Sequence, residues 1–139
     1  LMKSSRYSVD YAIKPAADAP EDADIEVELR RGADVMADLA IDRIDFLKID
    51  TEGHDLDVLS GFGTALDRVD FVQVEAGMNA YNKTHCAFQD LVDFLTPRDF
   101  LLFFIADQML EFKSGGRPVL RRANPVFIAG RLVDLTGLS

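Results

Sequence analysis

A mostly parallel α/β sheet ending in an antiparallel strand pair is the fold class that the sequence predicts, on three observations. Short apolar runs at Ile44 to Ile49 and Phe71 to Val74 read as strands of a covered sheet. Each is followed by apolar residues at three- and four-residue spacing, so strand alternates with helix, the pattern that builds a parallel sheet. Two further apolar runs, Phe100 to Ala106 and Pro125 to Gly130, are joined by a polar segment containing Gly115-Gly116 with no helical pattern, and therefore pair antiparallel. Together these elements make the second half of a doubly wound sheet, and no matching first half is visible upstream.

The elements follow from their residues in order. Residues 1 to 24 include Pro15-Ala16-Ala17-Asp18-Ala19-Pro20 and lack a clear period, which predicts a lead-in and loop before a domain over residues 25 to 139. Ile25, Val27 and Leu29 alternate with Glu26, Glu28 and Arg30 as in a half-buried strand, and Asp34 precedes a short helix over Val35 to Ala40. Ile44 to Ile49 is apolar on both faces despite Asp45 and Lys48, which predicts an interior strand. A helix from about Gly53 to Asp67 would bury Leu56, Leu59, Phe62 and Leu66 as one stripe. A second strand over Asp70 to Glu75 and a helix from about Cys86 to Leu95 come next. Phe88, Leu91, Val92 and Leu95 form the inner side of that helix, and Pro97 ends it.

Composition narrows the function. The chain has 139 residues and a formal net charge of -9, with its basic residues scattered, which argues against nucleic acid as the main partner. A single cysteine, Cys86, leaves no intrachain disulfide and suits a reducing, cytoplasmic setting. The longest continuous apolar run, Phe100 to Ala106, is far short of the roughly 20 residues of a membrane-spanning helix.

Chemistry concentrates at Asp50-Thr51-Glu52-Gly53, where a strand runs straight into a helix start. In open α/β sheets ligands bind outside the carboxyl ends of the strands, and Asp50, Glu52 and Glu75 fall there. With the two strands adjacent and parallel, all three acids converge on one rim, where mutual repulsion calls for a cation, a proton or ligand hydroxyls among them. The plainer reading is that Asp50 or Thr51 caps the helix, Glu52 and Asp55 oppose its dipole, and Glu75 faces solvent. Gly53 allows a close backbone turn, and His54 stands beside the acids as either a base or a surface residue. Asn79 and Tyr81 lie in the polar loop after the second strand, where they are candidates to hydrogen-bond a substrate. His85 and Cys86 adjoin each other without further ligands, so no metal set is assigned and metal dependence stays open. Gly61-Phe62-Gly63 is the only G-x-G, and its place near a helix end marks helix termination, not a nucleotide loop.

The string Ile44-Asp45-Phe46-Leu47-Lys48-Ile49-Asp50-Thr51-Glu52-Gly53-His54, with Leu56 to Gly61 and Val72-Gln73-Val74-Glu75 after it, resembles the FkbM family of S-adenosylmethionine-dependent methyltransferases. Asn124-Pro125-Val126-Phe127-Ile128 is similar to that family's last strand. The resemblance implies the C-terminal half of a class I, Rossmann-like methyltransferase fold acting on hydroxyl oxygens of sugars or secondary metabolites. It places Asp50 and Glu52 beside the methyl-transfer site, with Glu75 facing the small-molecule acceptor, and leaves the role of His54 open. The family's glycine-rich cofactor loop and the acid after its second strand have no counterpart before residue 25, so only Asp50 and Gly53 are candidate cofactor contacts. A non-catalytic α/β interaction module is the competing reading, with metal-dependent hydrolysis a third. Without a first half, Ile44 to Ile49 would present an open apolar edge. These 139 residues alone are therefore expected to bind S-adenosylmethionine weakly and to dimerise or associate through that edge, and micromolar cofactor binding to a monomer in isothermal titration would refute this.

Overall fold

Ile44–Ile49 (β1) and Val69–Val74 (β2) pair in parallel, from Ile44 opposite Val69 to Ile49 opposite Val74. The register brings both carboxyl ends to one rim, as the sequence predicts. This computed structural model describes residues 29–112 and 116–137, so the lead-in over residues 1 to 24 and the strand pattern at Ile25 and Val27 lie outside the described residues. The first regular element among the described residues is a helix, Gly32–Asp38 (α1).

Among the described residues four more strands make the sheet mixed and six-stranded: Ala76–Gly77 (β3), Cys86–Ala87 (β4), Phe100–Glu111 (β5) and Val119–Ala129 (β6). β6 runs antiparallel between β5 on one side and both β2 and β3 on the other. β2 and β3 share one register against β6, with Gln73 opposite Val126 and Ala76 opposite Ala123. Continuing that register places Val74 opposite Pro125 and Glu75 opposite Asn124. Proline has no N–H to give to a ladder, which accounts for the interruption that leaves Glu75 between β2 and β3.

The core lies on one face of this sheet. Val72, Val74, Ile49 and Phe127 meet Met36 of α1, Leu59 of the helix Asp55–Ser60 (α2), and Leu91 and Leu95 of the helix Phe88–Leu95 (α3). The inner stripe read from the sequence for α3 is the buried one, with Leu91 and Leu95 fully enclosed and Phe88 and Val92 packed against the core. At the opposite rim, buried Asp70 is held by Arg43 and Arg131, and Arg131 also donates to the Val69 carbonyl at 3.1 Å.

Three expectations need correction. The helix expected over Gly53 to Asp67 is α2 followed by a 3-10 segment, Gly63–Arg68, because Glu52 and Gly53 take positive φ and Gly63 does so again. The stripe survives this break, since Leu59, Phe62 and Leu66 are all buried. β1 is not an interior strand among the described residues: β2 is its only partner there, and Phe46 is 48% exposed, stacked on Phe71 at 6.4 Å. The last two strands are longer than their apolar runs, because the ladder continues through polar residues past a register shift at Ala106 to Met109, where Asp107 adopts φ 47.

Leu91 has no exposed surface, and Leu91→Ala is expected to cost about 3 kcal/mol through lost burial and a residual cavity. Urea unfolding would show this as a lower midpoint at unchanged slope.

Candidate active site

Beyond Ile49 the chain turns within a few residues, and one buried carboxylate organises that turn. Asp55 Oδ1 accepts from the Thr51 backbone N–H at 2.9 Å and from the Thr51 hydroxyl at 3.0 Å. Asp55 thus reaches back to fix the loop, and neither Asp50 nor Thr51 caps α2, which has no side-chain cap. Glu52 sits at φ 52 and Gly53 at φ 108. A Cβ on Gly53 would lie 2.5 Å from the Thr84 carbonyl oxygen, so only glycine permits this turn to press against the loop that follows β3. The close approach carries Glu52 to His85.

That loop is built on two asparagines. Asn79 Nδ2 donates to the Leu120 carbonyl at 2.8 Å, while its Oδ1 accepts from the backbone N–H groups of Tyr81 and Asn82. Asn82 Nδ2 donates to the Arg121 carbonyl at 3.1 Å, and its Oδ1 accepts from the N–H groups of Thr84 and His85. Backbone partners on both ends therefore fix which way the Asn82 amide points. His85 Nδ1 lies 3.1 Å from the same Oδ1. An amide oxygen only accepts, so Nδ1 carries the proton and donates.

The other ring nitrogen faces acids. His85 Nε2 is 3.1 Å from Glu75 Oε2 and 3.8 Å from Glu52 Oε2. The His85 side chain is 7% exposed and that of Glu75 13%, while Glu52 is open to solvent at 72%. Arg122 on β6 pairs with the second oxygen of Glu75. Because Nδ1 is the donor, the lone pair of a neutral His85 would point at a carboxylate oxygen. The contact is favourable only with a proton or a cation between them.

The sequence-predicted residues divide accordingly. Glu52 and Glu75 come together, and Asp50 stands apart from them, with its half-exposed carboxylate 3.2 Å from Lys48 Nζ. His54 is exposed and its Nδ1 faces Asp57 at 3.4 Å. Asn79 and Tyr81 line a cavity of about 330 Å³ together with Glu111, Arg117 and Val119. A smaller cavity of about 180 Å³ between Leu66, Arg98 and Arg131 lies at the opposite rim, away from the carboxyl ends. His85, read from the sequence as incidental, is the central residue of the cluster. The signal available for it was the Asn82-x-x-His85 spacing, which lets one amide oxygen receive both backbone and ring N–H groups.

Its neighbour Cys86 is a packing residue. Burial, reinforced by Asp90 and Asp55, pushes its thiol up to about 11.

These features define a mixed parallel and antiparallel α/β domain with an imidazole between carboxylates at the carboxyl ends of its parallel strands, the rim where open α/β sheets bind ligands. The family model for the methyltransferase FkbM domain matches residues 4–102, and the chain belongs to that family of S-adenosylmethionine-dependent methyltransferases. No curated protein and no solved structure matches the chain. Among the described residues no glycine-rich loop joins a strand to a helix in a way that cradles a nucleoside, and the one close backbone approach, at Gly53, is filled by Thr84. These residues therefore present no cradle that fits the cofactor. No helix among them is long and apolar enough to cross a membrane.

The Cys86 thiol gives a pH signature. A thiol pKa raised by folding leaves stability intact below its ordinary value of 9.0, and stability then falls as pH rises toward about 11, because the unfolded chain gains thiolate first. Wild type should lose stability relative to Cys86→Ala across that window, and iodoacetamide at pH 8 should label Cys86 only in denaturant.

Proposed function

We propose that the protein transfers a methyl group from S-adenosylmethionine to a hydroxyl oxygen of a small molecule such as a sugar or secondary metabolite, with Glu75, Glu52 and His85 forming the acceptor side. The described sheet is then the C-terminal half of a class I, Rossmann-like methyltransferase fold, a reading supported by the antiparallel β6 between β2 and β5. The observation that carries the reading is the enclosed His85–Glu75 pair beside the exposed Glu52 at the carboxyl rim.

S-adenosylmethionine supplies the methyl group as a sulfonium, and the described residues act on the other reactant. An acceptor hydroxyl approaching from solvent meets Glu52 first. Its carboxylate accepts the hydroxyl hydrogen bond and orients the oxygen. The O–H proton passes to Glu52 and from it to the Glu75–His85 pair, where Nε2 and Oε2 can share it, while Asn82 keeps the ring in the tautomer that leaves Nε2 free to receive it. Arg122 offsets the charge of Glu75 so that two carboxylates can coexist on the rim. Asn79 and Tyr81 in the adjoining cavity would contact the remainder of the acceptor.

Asp50 and His54 enter this scheme at most as flanking groups, since each already faces a partner of its own. The side of β1 left unpaired among the described residues and the line of Phe46, Phe71, Phe103 and Phe104, with successive rings 5.4 to 6.4 Å apart, support association with a second chain.

Production of S-adenosylhomocysteine, followed across a panel of hydroxylated acceptors, tests the proposal. Glu75→Gln and His85→Ala should each lower kcat by about 100-fold or more, and Asp50→Asn should have a much smaller effect. Turnover that survives both substitutions would favour an interaction module over catalysis at this rim.

A further inference from the structure

We infer that Glu52, Glu75 and His85 bind one divalent first-row transition ion, with His85 Nε2 and one carboxylate oxygen from each glutamate as ligands. The three donor atoms lie within 4.8 Å of one another. Ligands each about 2.1 Å from a common ion are separated by roughly 3.0 to 3.4 Å at tetrahedral or right angles. His85 Nε2 and Glu75 Oε2 already meet that spacing at 3.1 Å. Glu52 is 3.8 Å from Nε2, and its solvent-exposed side chain closes the difference by a change of rotamer.

The tautomer is an independent pointer. Asn82 holds Nδ1 as a donor, so the nitrogen that the enclosed ring turns toward two carboxylates is Nε2, the one available to an ion. A histidine ligand typically has its other nitrogen donating to a fixed acceptor in this way, which sets the ring orientation and the lone-pair direction. Glu75 is supported likewise, with Arg122 holding the oxygen that would not face the ion. Two carboxylates and an imidazole balance the charge of a divalent cation, and mixed nitrogen and oxygen donors suit Mn2+ or Zn2+ better than Mg2+ or Ca2+. The positive charge of Arg122 opposes the ion, so the affinity expected is micromolar. With three protein ligands, the remaining coordination positions are open to solvent on the Glu52 side.

An ion there would bind the acceptor hydroxyl and ease loss of its proton to the second carboxylate oxygen of Glu52, in place of His85 Nε2, which the ion would occupy. That role rests on the methyl-transfer reading of the site, whereas the binding of the ion does not. Titration calorimetry of the metal-free chain with Mn2+ and with Zn2+ is the first measurement, with Mn2+ broadening of amide resonances locating the ion. The expected result is one micromolar site that broadens Glu52, Ala76 and Thr84 to Cys86, is abolished by Glu75→Gln and His85→Gln, and is weakened about 10-fold by Asn82→Ala. Broadening in the unsubstituted chain needs no variant, so a substitution that fails to fold does not remove the test. Absence of binding below millimolar concentration, or broadening centred elsewhere, would overturn the inference and leave methyl transfer standing. Tight binding without any methyl transfer would instead count against the proposed function.

Discussion

A carboxylate enclosed at a break in a strand must find compensation for its charge, and Glu75 imposes that requirement on everything around it. Pro125 on β6 opens the ladder at this level, which frees the Glu75 backbone from regular pairing. Arg122, three residues earlier on β6, supplies the guanidinium. His85 reaches the remaining oxygen from a loop whose path is set by Asn79 and Asn82. The turn after β1 presses on that loop because Gly53 has no side chain to hold it away from Thr84. Strand register, asparagine amides and one glycine thus act together to hold two glutamates and a histidine within a few ångströms.

The parts of this arrangement legible in the sequence are those encoded by local pattern. Leu91 and Leu95 lie on the stripe that their spacing predicts, and the neighbouring parallel placement of β1 and β2 follows from strand-helix-strand order. The i, i+2 spacing of Lys48 and Asp50 puts both on one side of an extended chain, where they pair, and the expected convergence of three acids left out this local contact. The antiparallel final pair was legible from the absence of a helical stretch between its strands, but its length was not. β5 and β6 continue through Asp107 and Arg121 because backbone pairing does not require apolar side chains.

The role of His85 was hidden for a different reason. Only the Asn82-x-x-His85 spacing marks it, and its significance comes from contacts to Glu52 and Glu75 on two other segments. Periodicity reports which face of an element is buried. It does not report where a loop side chain is delivered by the strands it bridges. The break between α2 and the 3-10 segment belongs to the same class, since the apolar stripe is continuous while the backbone that carries it is not.

Glu52 carries a cost of its own. A non-glycine residue held at positive φ is disfavoured by about 1 kcal/mol or more, and glycine or asparagine would occupy the position with less strain. A more stable version of this domain is therefore obtained at the expense of the exposed carboxylate of the Glu52, Glu75 and His85 cluster. Stability and chemistry compete at a single backbone dihedral, and any effort to harden the fold for use as an engineered scaffold would meet that conflict first at residue 52.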